Sequence, residues 1–190
     1  MNRNAVDSTV LGLVEQLPDL DTDADRRDFC LFAQELFAQS DRASVIVGAV
    51  NLEVLLRQAL GRHVPRAKPA RDFAPTIDAA HRHRIIHADL RDWLHNLRDL
   101  RNTFAHELLL GIDLTDARFA GKVESLCVPG RSSPLYYEIA EACGYRPSSA
   151  RQVSLRARIV AYCEKLRRAI DNPRLMPVRW IQPPGKPVLL

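Results

Sequence analysis

Apolar residues recur along this chain at intervals of three and four, the spacing that lines one face of an α-helix. Val6, Val10, Leu13, Val14 and Leu17 mark a short first helix that Pro18 ends. An acidic link follows (Asp19, Asp21, Asp23, Asp25), then a second stripe of Phe29, Phe32, Ala33, Leu36 and Phe37. Ser40 and Asp41 either open a new helix or bend this one. From Ala43 to Leu60 apolar residues surround the helix almost completely, the pattern of a central, buried element, and Gly61 is placed to cap its end. The stretch Arg62 to Pro75, with Pro65, Pro69 and Pro75, reads as a loop, followed by a short helix over Thr76–Arg84. Ala88–Leu109 carries the clearest pattern: Leu90, Trp93, Leu94, Leu97, Leu100, Phe104 and Leu108 fall on one stripe, and Gly111 stops it. Two weaker helices, near Asp116–Leu126 and Leu135–Ala142, flank Pro129-Gly130. A longer one runs from about Ser148 to Ile170 and ends at Asp171-Asn172-Pro173. The remaining tail holds Pro173, Pro177, Pro183, Pro184 and Pro187 and reads as an extended arm, docked or loose; Trp180 and Ile181 favour docking. Alternating strand patterns are nearly absent.

Composition fits this all-α picture. The chain has 190 residues, 46% hydrophobic and 26% charged, enough to bury a core as one soluble domain. The longest apolar run, Val45 to Leu56, is interrupted by Asn51 and Glu53 and is too short to cross a bilayer. Met1 to Val10 lacks an apolar signal-peptide core. Cys30, Cys127, Cys143 and Cys163 are scattered, with no Cys-x-x-Cys pair, and read as buried reduced thiols of a cytoplasmic protein. No metal site and no cofactor are expected. His81, His83 and His87 do not share one helical face.

Charge adds an asymmetry. The net charge is +4. Ten basic and two acidic residues from Arg146 onward put +8 there and leave −4 on the first 145 residues. Of 27 basic residues only Lys68, Lys122, Lys165 and Lys186 are lysine. Arginine's planar fork suits phosphate, and a GC-rich genome gives the same bias. Arg151, Arg156, Arg158, Arg167 and Arg168 form either a nucleic-acid-binding face or a solvated one. Arg62, Arg66, Lys68 and Arg71 likewise make a loop that either tracks a phosphate backbone or carries solvated charge. Tyr136, Tyr137 and Tyr145 read as packing residues.

The chemistry concentrates in Leu97-Arg98-Asp99-Leu100-Arg101-Asn102-Thr103-Phe104-Ala105-His106. At about 100° per residue, with Leu97 set to zero, His95, Asp99, Asn102 and His106 lie within about 40° of the opposite side. Arg101 lies near 40°, beside the apolar stripe, with a side chain long enough to swing outward. Asn102 and His106 are four apart, so the amide can orient the imidazole. A histidine can take or give a proton near neutral pH, and an arginine can stabilise charge on phosphoryl oxygens. Other roles stay open. His106 also fits a solvated helix end, favoured there by the helix dipole, or a place in a dimer interface. Arg101 also fits a structural partner for last-turn carbonyls or for Glu53, a glutamate in a buried helix that needs one.

Arg101, Asn102 and His106 resemble the Arg-polar-x-x-x-His signature of HEPN domains. The Ser40-Asp41-Arg42 opening of the long apolar helix, Glu53 within Asn51-Leu52-Glu53-Val54-Leu55-Leu56, and the run from Phe73 to His106 are similar to the mannitol operon repressor branch of that superfamily. The resemblance covers about Phe29 to Leu126. It implies an up-and-down helical bundle, here one domain over 1–172 (core about 24–126, with an extra basic C-terminal helix at about 148–171) and a Pro-rich tail over 173–190. It also implies a homodimer whose facing Arg101 and His106 residues cleave RNA without a metal. Asn102 would share the catalytic set; His95, Asp99 and Glu53 would support it; Arg62, Arg66, Arg151 and Arg158 would contact nucleic acid. A cognate antitoxin or regulatory partner would fit such a toxin or defence protein, RNA fitting better than DNA, with no membrane involved. One toxin branch carries a tyrosine two residues after the histidine, where this chain has Leu108. The repressor branch offers the alternative of a non-enzymatic transcriptional regulator acting through protein or DNA contacts, although no helix-turn-helix signature is present.

Overall fold

Helix-start residues decide where this chain bends. The computed structural model describes residues 7–16, 23–65, 71–106, 113–127, 134–147 and 149–178. Ser40 sits in extended backbone (φ −60°, ψ 161°) and its hydroxyl oxygen accepts from the Ala43 N–H at 3.3 Å. A new helix therefore begins at Asp41. In chain order the helices are α1 (Ser8–Val14), α2 (Asp23–Phe37), α3 (Asp41–His63), α4 (Phe73–Arg82), α5 (Ala88–His106), α6 (Ala120–Leu126), α7 (Pro134–Ala142) and α8 (Ala150–Asp171). Short 3-10 turns precede α6 (Ala117–Phe119) and follow α8 (Pro173–Leu175). The described residues thus form an all-α bundle, with one isolated parallel bridge, between Ile86 and Val178, as the only β pairing among them.

Two expected boundaries differ. Gly61 does not end α3: the helix continues through His63, and Val64 closes it by donating to the Leu60 carbonyl at 2.8 Å. The short helix starts earlier than expected, at Phe73, because Phe73 is itself buried and anchors the first turn.

The pair α3 and α8 forms the centre, and α2, α4, α5, α6 and α7 pack around it. Gly48 of α3 marks their closest approach. A Cβ there would stand 2.5 Å from Cγ2 of the fully buried Ile159. On α5, Leu90, Trp93, Leu94, Leu97, Leu100 and Phe104 all face the core, as the stripe requires. Leu108 lies outside the described residues, as do Gly111 and Pro129-Gly130.

α3 is long and apolar enough to cross a membrane by length and composition: 23 residues, with a window of mean hydropathy 1.4 that is 44% buried inside the protein. The run Val45–Leu56 alone understated it, because the helix extends beyond both ends. Its apolar side chains pack on α4, α5 and α8, while Val50 and Val54 remain 44% exposed.

α8 departs most from its sequence pattern. It is the central helix, with fifteen buried residues, including Arg156 and Arg158. Arg156 is fully buried and meets Asp41, whose side chain is 5% exposed, at 2.7 Å. Asp41 also accepts from the Leu114 backbone N–H (2.9 Å), the Gln152 amide (2.7 Å) and the Tyr145 hydroxyl (3.2 Å). The Arg156 guanidinium lies over the Tyr145 ring, 4.2 Å from its centroid, and donates to the carbonyls of Gln39 and Gln152. Buried charge requires such pairing, and of the Arg156 guanidinium only Nε is left without a hydrogen-bond partner among the described residues. Burial alone pushes the Asp41 carboxyl up; the Leu114 N–H, the Arg156 charge and the Gln152 and Arg156 hydrogen bonds more than offset it, so its pKa lies below the ordinary value.

After α8 the chain doubles back. Val178 donates to the Ile85 carbonyl and accepts from His87 N–H, both at 2.9 Å, and is itself buried. Val178 is therefore docked on the link between α4 and α5, while Pro173, Arg174 and Leu175 remain exposed. Trp180 and Ile181 lie outside the described residues. All four cysteines are free, three buried and Cys143 half-buried; burial pushes the Cys30 thiol up to about 11.

Candidate functional site

α3 and α5 pack side by side, and this places Glu53 against Arg101. Glu53 lies on the flank of α3, its side chain 13% exposed. One carboxylate oxygen, Oε2, accepts from Arg101 Nη2 at 3.3 Å, and the other, Oε1, accepts from Arg57 Nη2 at 2.5 Å. The Arg101 guanidinium reaches across to α3 rather than out to solvent: the side chain is 26% exposed, and its Nε is buried with no hydrogen-bond partner among the described residues. Its Nη1 donates to Asn102 Oδ1 at 2.9 Å. Glu53, Arg101 and Asn102 thus form one cluster, with Arg57 as a fourth member. Sequence reading missed Arg57, although its position four residues after Glu53 is the spacing of a helical ion pair.

A second cluster lies along the same helix. His95 Nε2 is 3.0 Å from Asp78 Oδ1 on α4, and its Nδ1 is 3.5 Å from Arg98 Nη1. Arg98 also holds Asp99, its Nη2 donating to Oδ1 at 2.5 Å. The Thr103 hydroxyl donates to the Asp99 backbone carbonyl and accepts from Lys122 of α6. His95 and Asp99 are therefore joined through Arg98. Asp78, which no sequence pattern singled out, fixes the imidazole from the facing helix.

His106 joins neither cluster. It is the last residue of α5 and is exposed. The expected contact with Asn102 is not made among the described residues; the Asn102 carbonyl oxygen goes to Arg101 instead. Five helical residues separate Arg101 from His106, which is about 7.5 Å of rise and about 140° of rotation. Within one chain the two side chains leave the helix in different directions.

The residues assigned to nucleic-acid contact divide. Arg62, at the end of α3, is exposed and pairs with Asp171 at 3.1 Å. Arg151, at the start of α8, is exposed and lies 3.6 Å from Glu124. Arg66 lies outside the described residues. Arg158 corrects the expectation: it is only 5% exposed, and its Nη1 donates to the Leu126 carbonyl at 2.9 Å. It therefore serves the end of α6, a carbonyl that also accepts from Trp93 Nε1 at 3.0 Å. Arg156, bound to Asp41, is equally removed from solvent. The basic C-terminal helix is core, and neither a solvated nor a nucleic-acid-binding face runs along these two arginines.

Among the described residues, no group of three or more His, Cys, Asp or Glu side chains is arranged to hold a metal ion. His87 pairs with Asp89 at 3.1 Å, while His83 is exposed. Comparisons with models of known protein families, with curated proteins and with solved structures find no match.

Proposed function

We propose that this chain is a HEPN-like, RNA-directed protein: a cytoplasmic, metal-independent endoribonuclease of toxin or defence kind, working as a homodimer. One observation carries the reading. A half-buried Arg101 is fixed by Glu53 and Asn102, and an exposed histidine follows it on the same helix. In the reaction, the ribose 2′-hydroxyl attacks the adjacent phosphorus. A base accepts its proton, the P–O bond to the 5′ oxygen breaks, and an acid protonates that oxygen. His106 is suited to the proton transfers and Arg101 to the charge on the non-bridging oxygens. Because these two side chains diverge within one helix, a second protomer is the natural source of the complementary histidine.

The test incubates purified protein with mixed RNA in EDTA, alongside Arg101→Ala and His106→Ala. Cleavage by wild type and its loss in both variants is the expected result. Equal cleavage by all three, or none by wild type, overturns the enzymatic reading.

A regulator similar to the mannitol operon repressor branch is the second reading. Its support is that Arg101 is already paired with Glu53 and Asn102 within one chain, as a structural arginine would be. Partner or DNA binding that survives His106→Ala is its expected signature. Removing residues after Arg146 would not test it, because that deletes the central helix α8. Substituting the exposed Arg62 and Arg151 leaves the core intact.

A further inference from the structure

We propose that Arg57 and Arg101 form a two-guanidinium clamp for a backbone phosphate, with the Glu53 carboxylate occupying the phosphate's place until the ligand arrives. The phosphate taken is that of RNA, and this part rests on the function proposed above.

The geometry carries the argument. Glu53 presents one oxygen to each arginine, at 2.5 Å for Arg57 and 3.3 Å for Arg101. Two guanidiniums that grip separate oxygens of one carboxylate have the reach to grip separate oxygens of one phosphate. The three side chains together carry a net positive charge, so the site attracts an anion even with Glu53 in place. Arg57 is 39% exposed and Arg101 26%, with Glu53 between them 13% exposed, so a ligand would approach from the Arg57 side and displace the carboxylate. Neither depends on Glu53 alone for its position. Arg57 Nη2 also donates to the Arg71 carbonyl at 2.5 Å, and Arg101 Nη1 to Asn102. When the carboxylate yields, both forks stay aimed.

A purely structural ion pair and a clamp predict opposite effects for Glu53→Gln. Removing a structural partner releases Arg101 and weakens any binding there. Removing a competing charge strengthens it. The experiment measures anisotropy of a labelled single-stranded RNA, in a His106→Ala background that leaves the oligonucleotide whole, across a salt series. Inorganic pyrophosphate is titrated in parallel by calorimetry. Arg57→Ala is expected to weaken RNA binding about tenfold, as loss of a charge-assisted contact does, and to flatten the log–log salt slope by about 0.7. Glu53→Gln is expected to tighten binding and steepen the slope. Thermal melts of both variants control for folding, and Arg57→Lys separates charge from fork geometry.

The clamp is overturned if Arg57→Ala binds both probes as the parent does, or if Glu53→Gln weakens binding with its melting temperature unchanged. Cleavage by a wild type that is indifferent to Arg57 removes the clamp and leaves the nuclease. Arg57-dependent binding of pyrophosphate without RNA binding keeps the anion clamp and removes the RNA.

Discussion

Asp41→Asn tests the largest buried charge arrangement in the molecule. The substitution keeps the shape of the side chain and removes its charge. Arg156, with no exposed surface, would then lie beneath α3 without a counter-charge. With the asparagine oxygen kept at the Oδ1 position beside Arg156 and Tyr145, its NH2 would stand where Oδ2 now accepts, facing the Leu114 N–H and the Gln152 amide, which are donors themselves. Removing one partner of a buried pair costs about 3–5 kcal/mol. Against a typical total of about 5–15 kcal/mol this is a large fraction. With a urea m-value of about 1–3 kcal/mol/M, the midpoint falls by roughly 2 M. Urea unfolding followed by circular dichroism at pH 7 measures it. The double variant Asp41→Asn/Arg156→Met removes both ions, and its loss should be smaller than the sum of the single losses, a coupling of at least about 1 kcal/mol. The pH dependence has a defined sign. The folded Asp41 carboxyl titrates below its unfolded value, so its stabilisation is complete above the ordinary carboxylate range. It disappears as pH falls through the lowered folded value. The gap between wild type and Asp41→Asn should therefore be constant from pH 7 to about 5 and narrow in stronger acid. A loss under about 1 kcal/mol for the single variant, or strict additivity in the pair, would refute the reasoning.

Gly48→Ala should destabilise by about 1–3 kcal/mol despite alanine's better helix propensity, because the new Cβ meets Cγ2 of the stiff, β-branched Ile159; a raised melting temperature would contradict this. Arg158→Ala should lower stability by more than about 1 kcal/mol through the lost buried side chain and the loss of one of the two hydrogen bonds to the Leu126 carbonyl, which keeps Trp93 Nε1. Arg151→Ala should stay within about 0.5 kcal/mol, and paired chemical denaturation curves decide between the two.

The helical class and the α5 stripe are legible in the sequence because one period runs through nineteen residues and the positions it marks from Leu90 to Phe104 are buried. The Glu53–Arg101 pair is legible for a different reason: an acidic group in a largely apolar helix demands a cation, and few are within reach. α8 is not legible in this way. Its arginines follow no rule that separates a solvated guanidinium from one bound to Asp41 or to the Leu126 carbonyl, because those partners are supplied by distant segments. Local pattern also misplaces the end of α3. Gly61 is an ordinary helical glycine here, and the turn after it closes through Val64. The His95–Asp78 contact escapes for a similar reason, since it depends on how the short α4 lies against α5.

The pairing of α3 with α8 has a consequence for how the protein is made. α3 leaves the ribosome about a hundred residues before α8 exists, which at typical synthesis rates is on the order of 5–20 s. During that interval its apolar surface lacks its largest packing partner. Early segments such as α4 and α5 can shelter only part of that surface, so the nascent chain offers a long greasy helix to whatever hydrophobic receptor waits at the exit tunnel. Co-translational folding must therefore finish late, and a pause between α5 and α8 would prolong the window in which chaperones compete with native assembly.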